Sequence, residues 1–447
     1  MSMKPLRFPS VLLAVCLVSL ISASSFAQSG TGSRKLPKDF LKKMTPKSGM
    51  PVAAQNSAKR KTATAAMSSV SGIDSLTNWT DQFTEPGFDG AGNPQSVWPY
   101  AMVGDPPESN HATHIHAPII PVTVQLLDAS GNVAHDPTSG AALIMTVTPG
   151  IKDAVIHSPM FESDKYTSGR GQFTDQLQRA SFWNRFHHND HDWDSDDDHG
   201  WHTLLRPDLR TTRTMSIANG NYFYATNDDG SCCLFLLVEG NAFSNALFPP
   251  TFPVDNTTVI GAAELAGDMT TRDLTTFLFN NVYLYNGDLS NCCVLGFHEY
   301  DFEPGTAKNG NLPRLYVMDY SSWISPGLFG GGFEDITALS HEVSETFNDP
   351  FVNNATPWWL SLDPFTGGGL CQNNLETGDV IEVLSNNTVY PIAHHNRTYH
   401  PQNEAMFPWF AFQSPSTARL GAYSFPDETT LTTLSPANLM PGCNPGP

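Results

Sequence analysis

The stretch ALSHEVSETFNDP, residues 338–350, carries side chains that suit metal-assisted hydrolysis. In a helix, His341 and Glu345 lie one turn apart on the same face, so an imidazole nitrogen and a carboxylate oxygen could ligate one cation. Glu342 lies beside them, where it could take a proton from a water acidified by that cation. The pattern departs from H-E-x-x-H only at its last position. It therefore predicts a metal site with an adjacent general base.

A third protein ligand has to come from elsewhere, because catalytic zinc usually has three protein ligands and one open position. Four residues are candidates by their placement: Asp349, Glu376, Asp379 and His298. We favour Asp379 or Glu376, which both lie in the segment NLETGDVIE. Zinc is the preferred cofactor. Because glutamate replaces the second histidine, the site is harder, and calcium, manganese or iron also become suitable.

This chemistry requires a helix, and the surrounding residues predict one from about 333 to 348. It follows the triple glycine at 330–332 and stops before Pro350. Its apolar residues recur at helical spacing: Ile336, Leu339, Val343 and Phe347. They predict a buried stripe, with the three ionisable side chains beside it.

The elements that must hold this helix are mostly strands. Seven β-rich runs are bounded by Gly, Pro, Asn or Asp, at residues 117–128, 141–149, 212–226, 233–240, 282–286, 292–300 and 314–323. Two further stretches, residues 174–188 and 270–282, predict helices. The expected fold class is α+β, with a mixed, largely antiparallel sheet and a few helices.

The first residues predict a cleavable signal peptide over residues 1–27. Lys4 and Arg7 precede a short apolar run at residues 11–23, and small residues stand before Gln28. The run is too short for a membrane span, so we expect no stable membrane insertion. The predicted location is secreted or periplasmic.

Charge divides the rest of the chain into two parts. Residues 34–61 hold nine basic side chains and one acidic one, and we expect residues 28–72 to be a disordered basic leader. Residues 73–447 hold 13 basic and 43 acidic side chains, which argues against a nucleic-acid partner. We expect these residues to form one large α+β domain, and a division into lobes at about 73–330 and 331–447 stays open.

Cysteine usage agrees with an oxidising compartment. Six cysteines follow the signal: Cys232, Cys233, Cys292, Cys293, Cys371 and Cys443. An even number in an exported chain predicts disulfides rather than a zinc–thiolate site, because C-x-x-C spacing is absent. The two adjacent pairs are expected to staple neighbouring strands together.

Two other polar clusters have less specific spacing. The Asp/His-rich run at 187–202 lacks the glycine and glutamate of a calcium loop, so it predicts a solvated acidic loop, with metal capture by its histidines as the alternative. His394, His395 and His400 follow the candidate ligand segment, and one of them could line a cleft.

Three segments together resemble a known family. They are SHEVSETFNDPFVNNATPWW, the following ETGD and the preceding CCVLGFHEY. They resemble secreted proteins related to the plant phosphate-induced, EXORDIUM-type family and their bacterial relatives, over about residues 290–412. The chain departs from the family pattern where Val380 and Ile381, rather than a cysteine, follow ETGD. The resemblance implies a zincin-like fold whose metal helix is the one above. It also implies one constellation of residues: His341, Glu342, Glu345, Glu376 and Asp379.

Two functions follow from these observations. The first is a secreted metal-dependent hydrolase, most simply a zinc metallopeptidase, acting on a peptide or an extracellular polymer, with the aromatic loop at 357–365 as a substrate wall. The second is a non-catalytic extracellular or cell-surface binding protein with a structural metal or none. The sequence has no G-x-S-x-G elbow and no glycine-rich nucleotide loop, which leaves serine hydrolase and nucleotide chemistry without support.

Overall fold

Apolar side chains recur along the β-rich runs, and these runs form the strands that enclose the candidate site. The computed structural model describes residues 34–44, 46, 72–84, 97–186, 200–249, 256–361, 370–382, 388–432 and 434. Described residues from Arg34 onward belong to one compact unit. The predicted signal peptide, residues 187–199 of the acidic run, residues 362–365 of the aromatic loop and Cys443 lie outside the described residues.

Strands dominate the architecture and are numbered here in chain order. They are β1 Asn78–Thr84, β2 Val97–Val103, β3 Ala112–Leu126, β4 Ile144–Met145, β5 Asp164–Tyr166, β6 Gly169–Gly171, β7 His202–Leu209, β8 Arg213–Ile217, β9 Tyr222–Thr226, β10 Cys232–Glu239 and β11 Leu274–Asn280. The chain continues with β12 Val282–Tyr285, β13 Cys292–Val294, β14 Gly296–Glu303, β15 Arg314–Trp323, β16 Ala355–Ser361, β17 Leu370–Asn374, β18 Ile392–His394, β19 Arg397–Tyr399, β20 Glu404–Ala405 and β21 Ser424–Phe425.

Helices are fewer and short. They are α1 Pro149–Ile156, α2 Phe173–Ser181, α3 Gly240–Leu247, α4 Val259–Ala266, α5 Thr337–Asn348, α6 Asp379–Glu382 and α7 Phe407–Phe410. Most strand pairings among the described residues are antiparallel. The α+β fold class is therefore confirmed.

The central sheet is mixed and has seven strands. Its main path runs β14-β15-β11-β3-β4, and β7 and β8 also pair with β3. The ladders that β3 makes with β7, β8 and β11 are parallel, as is the ladder between β11 and β15. β14 pairs with β15 in the antiparallel sense and carries His298 opposite Asp319. A second, four-stranded sheet has the strand order β13-β12-β10-β9. Its strands β10 and β13 carry the two adjacent cysteine pairs.

The strand β11 corrects a prediction. Residues 270–282 were expected to be a helix, but residues Leu274–Asn280 form a strand between β3 and β15. Its side chains alternate between the two faces, and six of the seven residues are buried. A strand buried on both faces gives a continuous apolar run, and such a run resembles a short buried helix in sequence.

The helix α5 keeps the predicted stripe but begins later than predicted. It spans Thr337–Asn348 rather than 333–348. The first four residues of the predicted helix lie before α5 instead: Asp335 forms an isolated antiparallel bridge with Ile324 and has a positive φ of 43°. The apolar stripe lies in one core cluster with strands β3, β11 and β15. All twelve residues of α5 are buried, so the polar side is covered as well.

The disulfides also differ from the expected pattern. Cys232 bonds to Cys233, and Cys292 bonds to Cys293. The expectation that each adjacent pair staples two strands is wrong, because each pair closes on itself within one strand. Disulfide formation as such is confirmed for these four cysteines.

Part of the predicted leader is packed. The backbone N–H of Leu36 donates to the Tyr224 carbonyl at 2.7 Å, and Lys35 pairs with Asp136 at 3.0 Å. Leu41 is fully buried in a cluster with β10 and β12. Leu36, Phe40 and Met44 pack against the same cluster. Residues 34–44 therefore differ from the expected disorder of 28–72, because four apolar residues anchor this basic segment. Within the described residues, no helix has the length and apolar character needed to cross a membrane.

Candidate metal centre

Helix α5 carries three ionisable side chains into one buried space. His341, Glu342 and Glu345 are 1%, 0% and 2% exposed. The helix lies across β14 and β15, and the segments that follow residue 370 cover its polar side. Buried ionisable groups are costly without partners, so their neighbours decide what this space can hold.

The first donor set joins α5 to the ETGD segment. Nε2 of His341 lies 3.0 Å from Oε1 of Glu345 and 3.6 Å from Oδ1 of Asp379. One ligand atom from each of these residues lies within 4.8 Å of the others. Nε2 of His341 and Oδ1 of Asp379 are buried and make no hydrogen bond to the described residues. Such convergent, unsatisfied donors are what a bound cation satisfies.

Gln402 fixes the orientation and tautomer of His341. Its Nε2 donates to the Gly378 carbonyl at 2.8 Å, so its Oε1 must face the imidazole. Nδ1 of His341 lies 3.1 Å from that oxygen and is therefore the protonated nitrogen of the neutral ring. This leaves the lone pair on Nε2, directed at the donor set. A hydrogen bond to the remote nitrogen is the usual support of a metal-binding histidine.

Gly378 brings the ETGD turn close to His341. A Cβ on this residue would lie 2.3 Å from Nδ1 and 2.4 Å from Cε1 of the imidazole. The Gly378 N–H donates to Oε1 of Glu345 at 3.1 Å. Glycine is therefore required for contact, and the turn orients Glu345 through its backbone.

A second donor set surrounds His298, which β14 supplies. Nδ1 of His298 lies 3.3 Å from Oε2 of Glu345, 3.7 Å from Oε2 of Glu376 and 3.9 Å from Oε2 of Glu342. His298, Asp349 and Glu376 form one group with ligand atoms within 4.8 Å, and His298, Glu342 and Glu345 form another. The strand thus supplies a second imidazole, in addition to that of His341 on α5.

Asp349 enters this set because α5 ends where it does. The residue caps the helix, and its backbone N–H donates to the Glu345 carbonyl at 2.7 Å. Its Oδ1 accepts from the backbone N–H groups of Asn353 and Asn354 at 2.8 and 3.0 Å. Its Oδ2 is buried and makes no hydrogen bond within the described part of the chain. The turn after the helix therefore holds one oxygen and leaves the other available.

Glu342 is held against β14. A Cβ on Gly296 would lie 2.6 Å from both Cγ and Oε1 of Glu342 and 2.8 Å from the Tyr320 carbonyl oxygen. Glycine at this point of the strand lets the carboxylate approach the backbone closely. The Glu342 carboxylate lies on the His298 side of the centre, with Oε2 3.9 Å from Nδ1 of His298.

The charges in this centre lower the pKa of Glu345 and raise the pKa values of His341 and His298. Burial alone would raise the pKa of Glu345, but the charges of His341 and His298 outweigh it and lower that pKa. Burial alone would lower the pKa of each histidine, but the neighbouring carboxylates raise both well above the usual value. Burial and the Glu345 charge raise the pKa of Glu376. Burial also raises the pKa of Asp349, to about 6. Without a cation, bound protons balance the negative charge of these carboxyl groups. A dication would take the place of those protons.

The centre has one side that is nearer to solvent. The side chains of Glu376 and Asp379 are 10% and 12% exposed, whereas those of His341 and Glu342 are 1% and 0% exposed. Asp379 also accepts from Nε2 of Gln372 at 2.8 Å. Within the described part of the centre, the ETGD segment is therefore nearer to solvent than the helix is.

Sequence reasoning assembled most of the centre but missed some of it. The predicted residues His341, Glu345 and Asp379 form one donor set, and Asp349 and Glu376 lie in the other. His298 was considered and not favoured, although its place at a strand next to the cysteine pair was a usable signal.

Two further residues of the centre belong to no motif. Gln402 supports His341 as described above. Glu404 is 0% exposed, and burial raises its pKa well above the usual value. Both lie in the segment HPQNEAM, more than one element after the ETGD turn, so no local spacing identifies them.

The other predicted site features lie elsewhere. His400 contacts Asp335 at 2.7 Å before α5, and His394 and His395 contact Glu162 at 3.3 and 2.6 Å. These three histidines do not join the donor sets.

One tryptophan in the described part of the aromatic loop belongs to the core. Trp359 is fully buried and packs edge-on against Trp409 and Phe410. It belongs to an aromatic core cluster, so its indole contributes to stability rather than to a substrate surface.

The donor chemistry fits a divalent cation. Each set combines one imidazole nitrogen with carboxylate oxygens, and no cysteine is among the donors. Such sets suit zinc, manganese or, with more oxygen, calcium. Comparison with protein-family models, with curated proteins and with solved structures found no match for this chain. The EXORDIUM-type resemblance therefore stays a prediction from motifs.

Proposed function

We propose that this protein is an exported metal-dependent hydrolase in which His341, Glu345 and Asp379 hold the cation, with Glu342 as general base. One observation carries the proposal. Nε2 of His341 and Oδ1 of Asp379 are buried without hydrogen bonds to the described residues, and they converge with Glu345. Zinc is the preferred cation, and manganese or calcium fits the same oxygen-rich donors.

The reaction needs an acidified water and a base beside it. A divalent cation held by His341, Glu345 and Asp379 would supply the Lewis acidity that makes water more acidic. Glu342 follows His341 along the helix and accepts the proton. Gln402 keeps the His341 lone pair on Nε2, and the Gly378 N–H keeps Glu345 in position. These supports fix the geometry before any substrate binds.

The substrate class we propose is a peptide or a related carbonyl in an extracellular polymer. The partial exposure of Glu376 and Asp379 supports entry from the ETGD side. The two disulfides and the predicted signal peptide support action outside the cytoplasm.

A non-catalytic protein with a structural cation is the second candidate. It is favoured by one observation, the burial of every residue of α5, including Glu342. A fully enclosed base has less access to a substrate than a base in an open cleft.

Metal analysis of the purified mature protein tests the first step. We expect stoichiometric metal in the parent and in His111→Ala, a control at an exposed histidine, and loss of metal in His341→Ala. A parent protein that carries no metal and takes up none from zinc or manganese solutions would overturn the proposal.

Turnover of a broad peptide library tests the second step. Glu342→Gln should retain the metal held by His341 and lose about 10²–10⁴-fold in rate, the usual contribution of a general base. Equal rates in parent and variant would remove Glu342 from the mechanism. Metal binding with no turnover in either protein would favour the structural-cation candidate.

A further inference from the structure

We propose that the centre binds two divalent cations and that Glu345 bridges them. The inference rests on the proposed metal binding and extends it, because a zincin-type helix by itself predicts one ion. The first ion belongs to His341, Glu345 and Asp379. The second belongs to His298, Glu376 and Asp349, with Glu345 as the shared ligand.

The two oxygens of Glu345 face different histidines. Oε1 lies 3.0 Å from Nε2 of His341, and Oε2 lies 3.3 Å from Nδ1 of His298. The Gly378 N–H donates to Oε1 at 3.1 Å, which fixes the rotation of the carboxylate. A carboxylate held in this orientation offers one oxygen to each side, and this is how a bridging ligand binds two metals.

The ligand atoms do not fit around a single ion. A metal with nitrogen and oxygen ligands at about 2.0–2.2 Å requires those ligand atoms to lie close together. Three groups in this centre, among the described residues, have ligand atoms within 4.8 Å of one another: each includes His341 or His298, none includes both, and Glu345 shares a group with each histidine. One ion would therefore leave one buried imidazole and its carboxylates without a metal.

The second set has its own unsatisfied donor. Asp349 is fully buried, and two backbone N–H groups hold its Oδ1. Its Oδ2 makes no hydrogen bond within the described chain, and a ligand atom of Asp349 lies within 4.8 Å of those of His298 and Glu376. Like the first set, the second therefore combines an imidazole with carboxylates and includes a buried carboxylate oxygen without a hydrogen bond to the described residues.

Charge balance favours two dications over one. Six buried carboxyl groups interact in this space: Glu342, Glu345, Asp349, Glu376, Asp379 and Glu404. When all are ionised, one dication leaves four negative charges buried with no counterion, whereas two dications leave two. Buried charge without compensation is strongly unfavourable. Paired ions about 3.5–4 Å apart are an established arrangement in hydrolytic enzymes.

The test counts metal ions in the mature protein. A background variant, Glu162→Gln with His395→Ala, first removes the surface histidine cluster as an adventitious site. Metal-free protein is incubated with excess Zn²⁺, passed through a desalting column and analysed for zinc per chain. We expect two ions. One ion would overturn the bridged pair but leave the proposed function standing, and no ions would overturn both.

Two conservative variants assign the ions. Asp349→Asn keeps an oxygen for the Asn353 and Asn354 N–H groups and should bind one ion, as should Asp379→Asn. Two ions in both variants would contradict the assignment, and circular dichroism checks that each variant folds. Loading with Mn²⁺ gives an independent result, because a carboxylate-bridged pair produces an exchange-coupled electron paramagnetic resonance spectrum. The spectrum of isolated Mn²⁺ at full occupancy would overturn the bridge.

Discussion

At the scale of single residues, the candidate centre depends on close approaches that only glycine permits. A Cβ added to Gly378 would clash with the His341 ring, and a Cβ added to Gly296 would clash with Glu342. Neither position needs the left-handed backbone region, so the requirement comes from space alone. The ETGD turn and strand β14 can therefore pack closely against helix α5. This close packing brings ligands from distant segments to one place.

The first prediction concerns Gly378. In Gly378→Ala, the new Cβ must displace the His341 imidazole, because its atoms lie 2.3–2.6 Å away. We expect at least a tenfold loss of zinc affinity and a loss of about 1–3 kcal/mol in the free energy of unfolding, typical of overpacking in a core. Zinc titration and urea unfolding measure these two quantities.

Gly330→Ala is the matched control. No atom lies within 4 Å of the Cβ position at Gly330, which precedes the same helix. The control should leave zinc affinity unchanged. If Gly378→Ala binds zinc as tightly as this control, the close contact with His341 has no role in the site.

At the scale of elements, the start of α5 is tied to the segment that carries Gln402. Asp335 accepts the backbone N–H of Ile336 at 2.5 Å and that of His400 at 2.8 Å through Oδ1. Its Oδ2 lies 2.7 Å from Nδ1 of His400. The same carboxylate thus orders the first turn before the helix and the strand-like segment beside it. This explains why α5 begins at Thr337 rather than at the predicted residue 333.

The second prediction removes this link. Asp335→Ala leaves the backbone N–H groups of Ile336 and His400 without their acceptor in a buried place, and each such loss costs about 1–3 kcal/mol. We expect the free energy of unfolding to fall by about 2 kcal/mol or more, as measured by urea denaturation. Asp229→Ala is the control, because Asp229 is exposed and bonds only within its own turn. An equal, small effect in both variants would show that Asp335 does not anchor the helix.

At the scale of the whole molecule, the acidic interior makes stability depend on pH. Asp319 lies on β15 opposite His298, and burial raises its pKa from the ordinary 3.8 to about 7. It accepts hydrogen bonds from Thr276 and Ser321, at 2.7 Å each. Between pH 4 and 7 the folded protein therefore keeps a proton that the unfolded chain has released. The stability that this group contributes is present at low pH and is lost as the pH rises towards 7.

The third prediction follows from that sign. For metal-free protein, the free energy of unfolding should fall between pH 5 and pH 8, with a contribution from Asp319 on the order of 3 kcal/mol. Asp319→Asn carries no ionisable proton, so this part of the fall should be absent. Urea unfolding of parent and variant at both pH values isolates the difference, since other groups titrate in both proteins. Parallel pH curves would contradict a raised pKa at Asp319.

Local patterns in the sequence determined part of this arrangement. Helical spacing placed His341 and Glu345 on one face, identified the stripe from Ile336 to Phe347 and ended the helix before Pro350. Adjacent cysteines in a chain with a signal-like start indicated disulfides. These properties depend on residues a few positions apart, and backbone geometry relates such positions directly.

Only the tertiary structure decided which distant residues complete the site. His298 reaches Glu345 because β14 is paired with β15 beneath α5, and Gln402 reaches His341 across 61 positions of chain. The same holds for β11, whose apolar run matched a helix until its neighbours β3 and β15 covered both its faces. Periodicity describes one element at a time. The pairing of strands and the end of a helix at Asp349 depend on long-range packing, and that packing assembles two imidazoles around one carboxylate.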